Sequence, residues 1–141
     1  MASLRDFIFH EEPGITLYCG DARTVLQAMR GASVQTCITS PPYWGLRDYN
    51  LAPVIWGGDP HAHECGCIEP PNHPGQVEKT KWKNAEAAGK GQTVPSGQFC
   101  RQCRAWRGAL GLEPTPELYV EHLVQVFREV RRVLGDDGTL W

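Results

Sequence analysis

Six residues, Thr39-Ser40-Pro41-Pro42-Tyr43-Trp44, bring a hydroxyl, two prolines and two aromatic rings together in one short run. They follow Val34-Gln35-Thr36-Cys37-Ile38, whose β-branched content predicts a buried strand. Each proline fixes its own φ and has no N–H to donate, so the strand must stop at Ser40. Carbonyl oxygens at such a corner have no ladder partner, and flat rings follow at once. Free acceptors beside an aromatic face suit a planar ligand carrying an NH2 group. In open α/β sheets, ligands bind at that carboxyl edge of the strands.

A second constellation has metal-ligand spacing. Cys100-Arg101-Gln102-Cys103 lets one turn present two thiolates to zinc. His61, His63, Cys65 and Cys67 offer four further donors upstream, and two of them with Cys100 and Cys103 complete a tetrahedral set. Six cysteines without an export signal point to metal or reduced thiols before disulfides. Cys19 and Cys37 fall in predicted strands, where a cysteine serves as a small buried hydrophobe.

The elements that position these groups alternate in type. Ile15 to Cys19 reads as a strand ending at Gly20, and Asp21 can cap a helix over about Ala22 to Met29 that buries Val25, Leu26 and Met29. Gly31-Ala32-Ser33 then returns the chain to the Val34–Ile38 strand, so a right-handed parallel crossover is expected. Residues 51 to about 107 hold half of the prolines and glycines and show no sustained apolar period, which reads as a loop-rich insertion. Thr115 and Pro116 open a long amphipathic helix with Tyr119, Leu123, Phe127, Val130 and Leu134 on one stripe. Gly135-Asp136-Asp137-Gly138 turns into a last strand, Thr139-Leu140-Trp141. Alternating strands and helices make the fold class α/β.

Composition bounds the rest. A chain of 141 residues with 41% hydrophobic content fits one ordinary globular domain. No stretch approaches the roughly 20 apolar residues of a membrane span, and the start lacks the apolar run of a signal peptide. A cytoplasmic protein without a membrane partner is the expectation. Net charge is −2, yet seven basic residues face only Glu86 between positions 79 and 107. That block reads either as a phosphate-contacting surface or as a solvated loop.

Ser40-Pro41-Pro42-Tyr43 resembles the catalytic motif of the amino-methyltransferases that modify cytosine N4 or adenine N6 of DNA. The flanks are similar too: Leu17-Tyr18-Cys19-Gly20-Asp21, Trp44-Gly45-Leu46-Arg47-Asp48-Tyr49, Gly111-Leu112-Glu113-Pro114-Thr115-Pro116-Glu117 and Asp137-Gly138-Thr139-Leu140-Trp141. The resemblance covers residues 14–50 and 108–141. It implies a partial Rossmann-like methyltransferase sheet in 1–50 and 108–141, interrupted by a loop-rich zinc-binding insertion at 51–107. It also implies S-adenosylmethionine as cofactor and double-stranded DNA as partner. Ser40, Pro41, Pro42 and Tyr43 would then line the pocket of a flipped-out base. The Ser40 hydroxyl and the Pro41 carbonyl take the two amine hydrogens, and Tyr43 stacks on the base. Asp21 and Thr39 would contact cofactor, although Asp21 reads equally as a plain helix cap. Arg47 and Asp48 shape the pocket or pair with each other. Similar insertions carry a Cys-x-His pair that falls on His61 and His63, with Cys65 and Cys67 as alternates. Ser40, where adenine-modifying relatives commonly have Asp, leans toward cytosine N4. The family's glycine-rich cofactor loop is not found, which implies an N-terminal piece of a longer enzyme, inactive by itself. Two other readings are an RNA or protein-amide N-methyltransferase, and a zinc-bearing nucleic-acid module without catalysis.

Overall fold

A computed structural model describes residues 3–57, 82–84, 97–100 and 102–141, with backbone alone for 82–84. The chain divides into two compact units: residues 1–41 with 123–141, and residues 42–122.

The first unit starts with a one-turn 3-10 helix, Leu4–Phe7, closed by a capping box in which Ser3 N–H donates to Asp6 Oδ2 at 2.8 Å. Strands β1 (Ile8–Glu12) and β2 (Ile15–Tyr18) form an antiparallel hairpin. Its turn is Pro13-Gly14, and Gly14 has φ +85°, which a residue with a Cβ rarely adopts. Helix α1 (Ala22–Ala28) follows the Asp21 cap, and Val25, Leu26 and Met29 are half-buried. β3 (Val34–Cys37) pairs in parallel with β8 (Leu134–Leu140). Their register jumps from Val34↔Leu134 to Thr36↔Thr139, so residues 135–138 bulge out of the ladder where a plain turn was expected.

The expected crossover takes another form. β2 pairs with β1, and the parallel partner of β3 is β8, not β2. Nor is β3 deeply buried: only Val34 and Cys37 face inward, and Ile38 is 80% exposed. Cys19 lies just past β2 and is exposed, so it is no core hydrophobe.

Helix α2 (Pro116–Val133) begins as its sequence dictates. Leu118 N–H donates to Thr115 Oγ1 at 3.3 Å, and Pro116 sits where a missing N–H costs nothing. At its far end Arg132 bonds the carbonyls of Leu26 (2.5 Å) and Met29 (3.0 Å), adding a donor to the acceptors at the end of α1. Arg23 Nη1 donates to Gln125 Oε1 at 3.3 Å, again joining α1 to α2.

The second unit holds an antiparallel sheet of four strands in the order β4-β7-β6-β5: Val54–Trp56, Trp106–Gly108, Gly97–Cys100 and Trp82–Asn84. The segment that reads as loop-rich thus contains much of the deepest burial described: Trp56, Cys100, Cys103, Ala105 and Trp106 are each at most 2% exposed. Strands of three or four residues give too little alternation to register as a period. Two are further disguised by glycine. Gly97 and Gly108 are register partners, and the Trp106 indole lies over both, so the ring does the packing that side chains on those residues would otherwise do.

Candidate active site

The ladder that ends at the Thr39–Tyr43 segment runs beyond the assigned strands. Trp141 N–H donates to Cys37 O at 2.9 Å, and Thr39 N–H to Trp141 O at 3.1 Å. Thr39's amide is therefore engaged in the sheet, while its side chain and Ser40 are exposed at the carboxyl end of a parallel strand and Pro41 is half-buried. Asp21 caps α1: its Oδ1 accepts from Thr24 N–H at 3.1 Å and the Thr24 hydroxyl at 3.0 Å, with Arg23 Nε 3.7 Å away. Among the described residues, all three of these contacts fall on Oδ1. Burial lowers the Arg23 guanidinium pKa, and the Asp21 charge opposes that shift.

The division between units falls between Pro41 and Pro42. Beyond it, Pro42 O accepts a 2.8 Å hydrogen bond from the Tyr119 hydroxyl. Trp44 Nε1–H donates to Glu113 O at 2.9 Å, and Gly45 N–H to Gly111 O at 2.8 Å. Gly111 has φ +94°, and a Cβ on it would lie 3.2 Å from Pro42 Cβ and from Tyr43 O, so the 111–113 loop packs closely on the turn. Tyr43 itself is 61% exposed. Its ring projects from a turn held on both sides. Asp48 closes a small turn by accepting from Asn50 N–H at 2.7 Å, and no Arg47–Asp48 ion pair forms among the described residues.

Behind this turn is a pair that the sequence reading did not single out. Glu113 and His122 have side chains 0% and 3% exposed, with Glu113 Oε1 3.0 Å from His122 Nδ1. Glu113 Oε2 accepts from Gly111 N–H at 2.8 Å. The His122 ring stacks on Trp56 (centroids 4.7 Å) and on Trp106 (5.3 Å). A buried carboxylate needs donors on both oxygens, and here it has them. The available signal was an acidic residue inside Gly111-Leu112-Glu113-Pro114 and a histidine nine positions on, near the helical stripe.

Cys100 and Cys103 come together on the turn joining β6 to β7. Cys100 N–H donates to Ala105 O at 2.7 Å and Arg104 N–H to Cys100 O at 3.1 Å, with Arg104 at φ +62°. His61, His63, Cys65 and Cys67 lie outside the described residues, as does most of the basic block. Among the described residues, no three His, Cys, Asp or Glu gather into a metal-binding group.

The sequence of this chain aligns over 128 residues, 91% of its length, with the type II methyltransferase M.XycI of Xanthomonas campestris pv. cyanopsidis at 32% identity. The chain is similar to type II methyltransferases. M.Cfr9I of Citrobacter freundii matches at 30% identity over 91% of the chain, and M.SfiI of Streptomyces fimbriatus at 29% over 97%. The chain spans 24%, 24% and 20% of these relatives' lengths, about a quarter or less. No family model matches the chain, and no solved structure does. No helix among the described residues is long and apolar enough to cross a membrane.

Proposed function

We propose that this chain carries the catalytic turn of an S-adenosylmethionine-dependent DNA methyltransferase acting on an exocyclic amine of a flipped-out base. Cytosine N4 is favoured over adenine N6, and the sheet is a partial Rossmann-like one. The observation that carries the reading is similarity to type II methyltransferases along nearly the whole chain, joined to an exposed Ser40 and Tyr43 at the end of a parallel strand. Bound cofactor would supply a methyl group on a sulfonium.

The amine of cytosine is a poor nucleophile because its lone pair is delocalised into the ring. Accepting both amine hydrogens, by the Ser40 hydroxyl and the Pro41 carbonyl, localises that pair on nitrogen. The same dipoles stabilise the positive charge that develops there, and because they are already oriented they need no reorganisation. Pro42's carbonyl is engaged by Tyr119, which leaves Pro41's as the turn acceptor for substrate. Tyr43, exposed, offers its face to the base. Thr39 and Asp21 lie at the cofactor side in this reading.

A structural zinc fits the two donors in hand: Cys100 and Cys103 are buried on one tight turn, half of a tetrahedral set. Its remaining ligands would come from His61, His63, Cys65 and Cys67. Zinc content of the purified protein, compared with that of Cys103→Ser, tests this.

The deciding experiment is methyl transfer from labelled cofactor to duplex DNA by the enzyme that contains this chain. Tyr43→Ala and Ser40→Ala are each expected to lower the rate at least 100-fold while the fold persists. Retained activity in both removes the turn from the mechanism, and transfer to RNA or protein instead of DNA favours the runner-up substrate class.

A further inference from the structure

The two prolines leave the turn one loose joint. Proline fixes φ at positions 41 and 42, but ψ of Pro42 is free to rotate, and it swings the peptide from which Tyr43 departs. The Pro42 carbonyl belongs to that same planar peptide. A hydrogen bond to the oxygen therefore sets ψ of Pro42 and limits φ of Tyr43.

Tyr119 makes that bond, at 2.8 Å. Its own place is fixed by the first turn of α2, where Tyr119 N–H donates to Thr115 O at 3.2 Å. The far side of the turn is pinned independently by Trp44 on Glu113 O and by Gly45 on Gly111 O. With those anchors, the Pro42–Tyr43 peptide is the part of the segment that the Tyr119 bond holds.

We propose that Tyr119 is a positioning residue for DNA methylation, locking the Pro42–Tyr43 peptide so that Tyr43 meets the flipped base with its ring already oriented. The inference rests on the reading of the turn as the base-binding site. Burial first, and then the charge of Glu113 and the neighbouring Tyr43, push the Tyr119 phenol above its ordinary pKa, so it remains the donor under working conditions. The function needs a hydroxyl on a ring of this size at this helix position. Phenylalanine would fill the space and leave the carbonyl unheld.

The test is Tyr119→Phe in the methyltransferase that contains this chain, with steady-state kinetics and a duplex bearing 2-aminopurine at the target position. Losing one hydrogen bond that matters for orientation is expected to lower kcat about three- to tenfold. KM for cofactor should stay unchanged, and quenching of the 2-aminopurine by the stacked ring should weaken. Arg132→Met is the stability control: it removes the bonds to the Leu26 and Met29 carbonyls without touching the Tyr119–Pro42 bond or the first turn of α2, and should keep kcat and quenching. A Tyr119→Phe enzyme with wild-type kcat and quenching overturns the inference, as does Arg132→Met reproducing its defect. Should Tyr43→Ala and Ser40→Ala also retain activity, the failure lies in the reading of the turn. Should they abolish activity while Tyr119→Phe is unaffected, the positioning role alone falls.

Discussion

Replacing Glu113 by Ala should cost several kcal/mol of stability, and the reason is arithmetic on two hydrogen bonds. The carboxylate accepts from Gly111 N–H at 2.8 Å and lies 3.0 Å from His122 Nδ1, on a side chain that is 0% exposed. Truncation strands two buried polar groups at about 1–3 kcal/mol each, or roughly 2–6 kcal/mol together. That brackets the roughly 3–5 kcal/mol typical of breaking a buried pair by removing one partner. Against a total of about 5–15 kcal/mol the loss is large. Glu113→Gln should be much milder, about 1–2 kcal/mol, because its oxygen still accepts from Gly111 and its amide can donate to a neutral His122 ring. Urea unfolding followed by tryptophan emission suits the measurement, since Trp56 and Trp106 both stack on His122 and report its displacement directly. Midpoints are compared at constant slope, so that a change in stability is not confused with a change in surface exposed. A Glu113→Ala chain within about 0.5 kcal/mol of wild type refutes the reasoning, as does a Gln variant weaker than the Ala one.

Other consequences follow from the same geometry. Gly97→Ala would set a Cβ 2.2 Å from Trp106 Nε1, far inside the roughly 3.5–4.0 Å of ordinary contact, and should cost at least about 1–3 kcal/mol by thermal unfolding. Arg132→Met removes the guanidinium from the Leu26 and Met29 carbonyls and should cost about 1 kcal/mol, with faster amide exchange in α1, given the half-exposed setting. The raised Tyr119 pKa means the folded chain holds that proton to higher pH than the unfolded one. Its contribution is therefore complete below the ordinary value of about 10 and is lost as pH climbs through the folded value. Tyr119→Phe should accordingly show a flatter decline in stability above about pH 10 in a urea titration series.

Local chemistry wrote several features of this protein directly into its sequence. Asp21 and Thr115 cap their helices because a short oxygen-bearing side chain can reach the free N–H groups of the first turn, whatever the rest of the chain does. The diproline ends the strand before it because proline supplies no donor, and the stripe from Tyr119 to Val130 turns inward because its spacing matches a helical period. Similarity to type II methyltransferases was legible for the same reason, since the Ser-Pro-Pro-Tyr block and its flanks are contiguous.

Contacts between distant residues had no such local mark. The pairing of β3 with β8 joins positions about a hundred apart, and nothing within β2 or β3 names that partner. The sheet of short strands stayed hidden because Gly97 and Gly108 look like loop residues until Trp106 lies over them. Arg132 lies in the last turn of α2, yet it bonds carbonyls at the end of α1. Glu113, His122 and Tyr119 took on their roles only when the fold brought a carboxylate, an imidazole and a phenol up behind the turn. Short-range propensity depends on a residue and its neighbours along the chain; burial and partner choice depend on neighbours in space, and those exist only after folding.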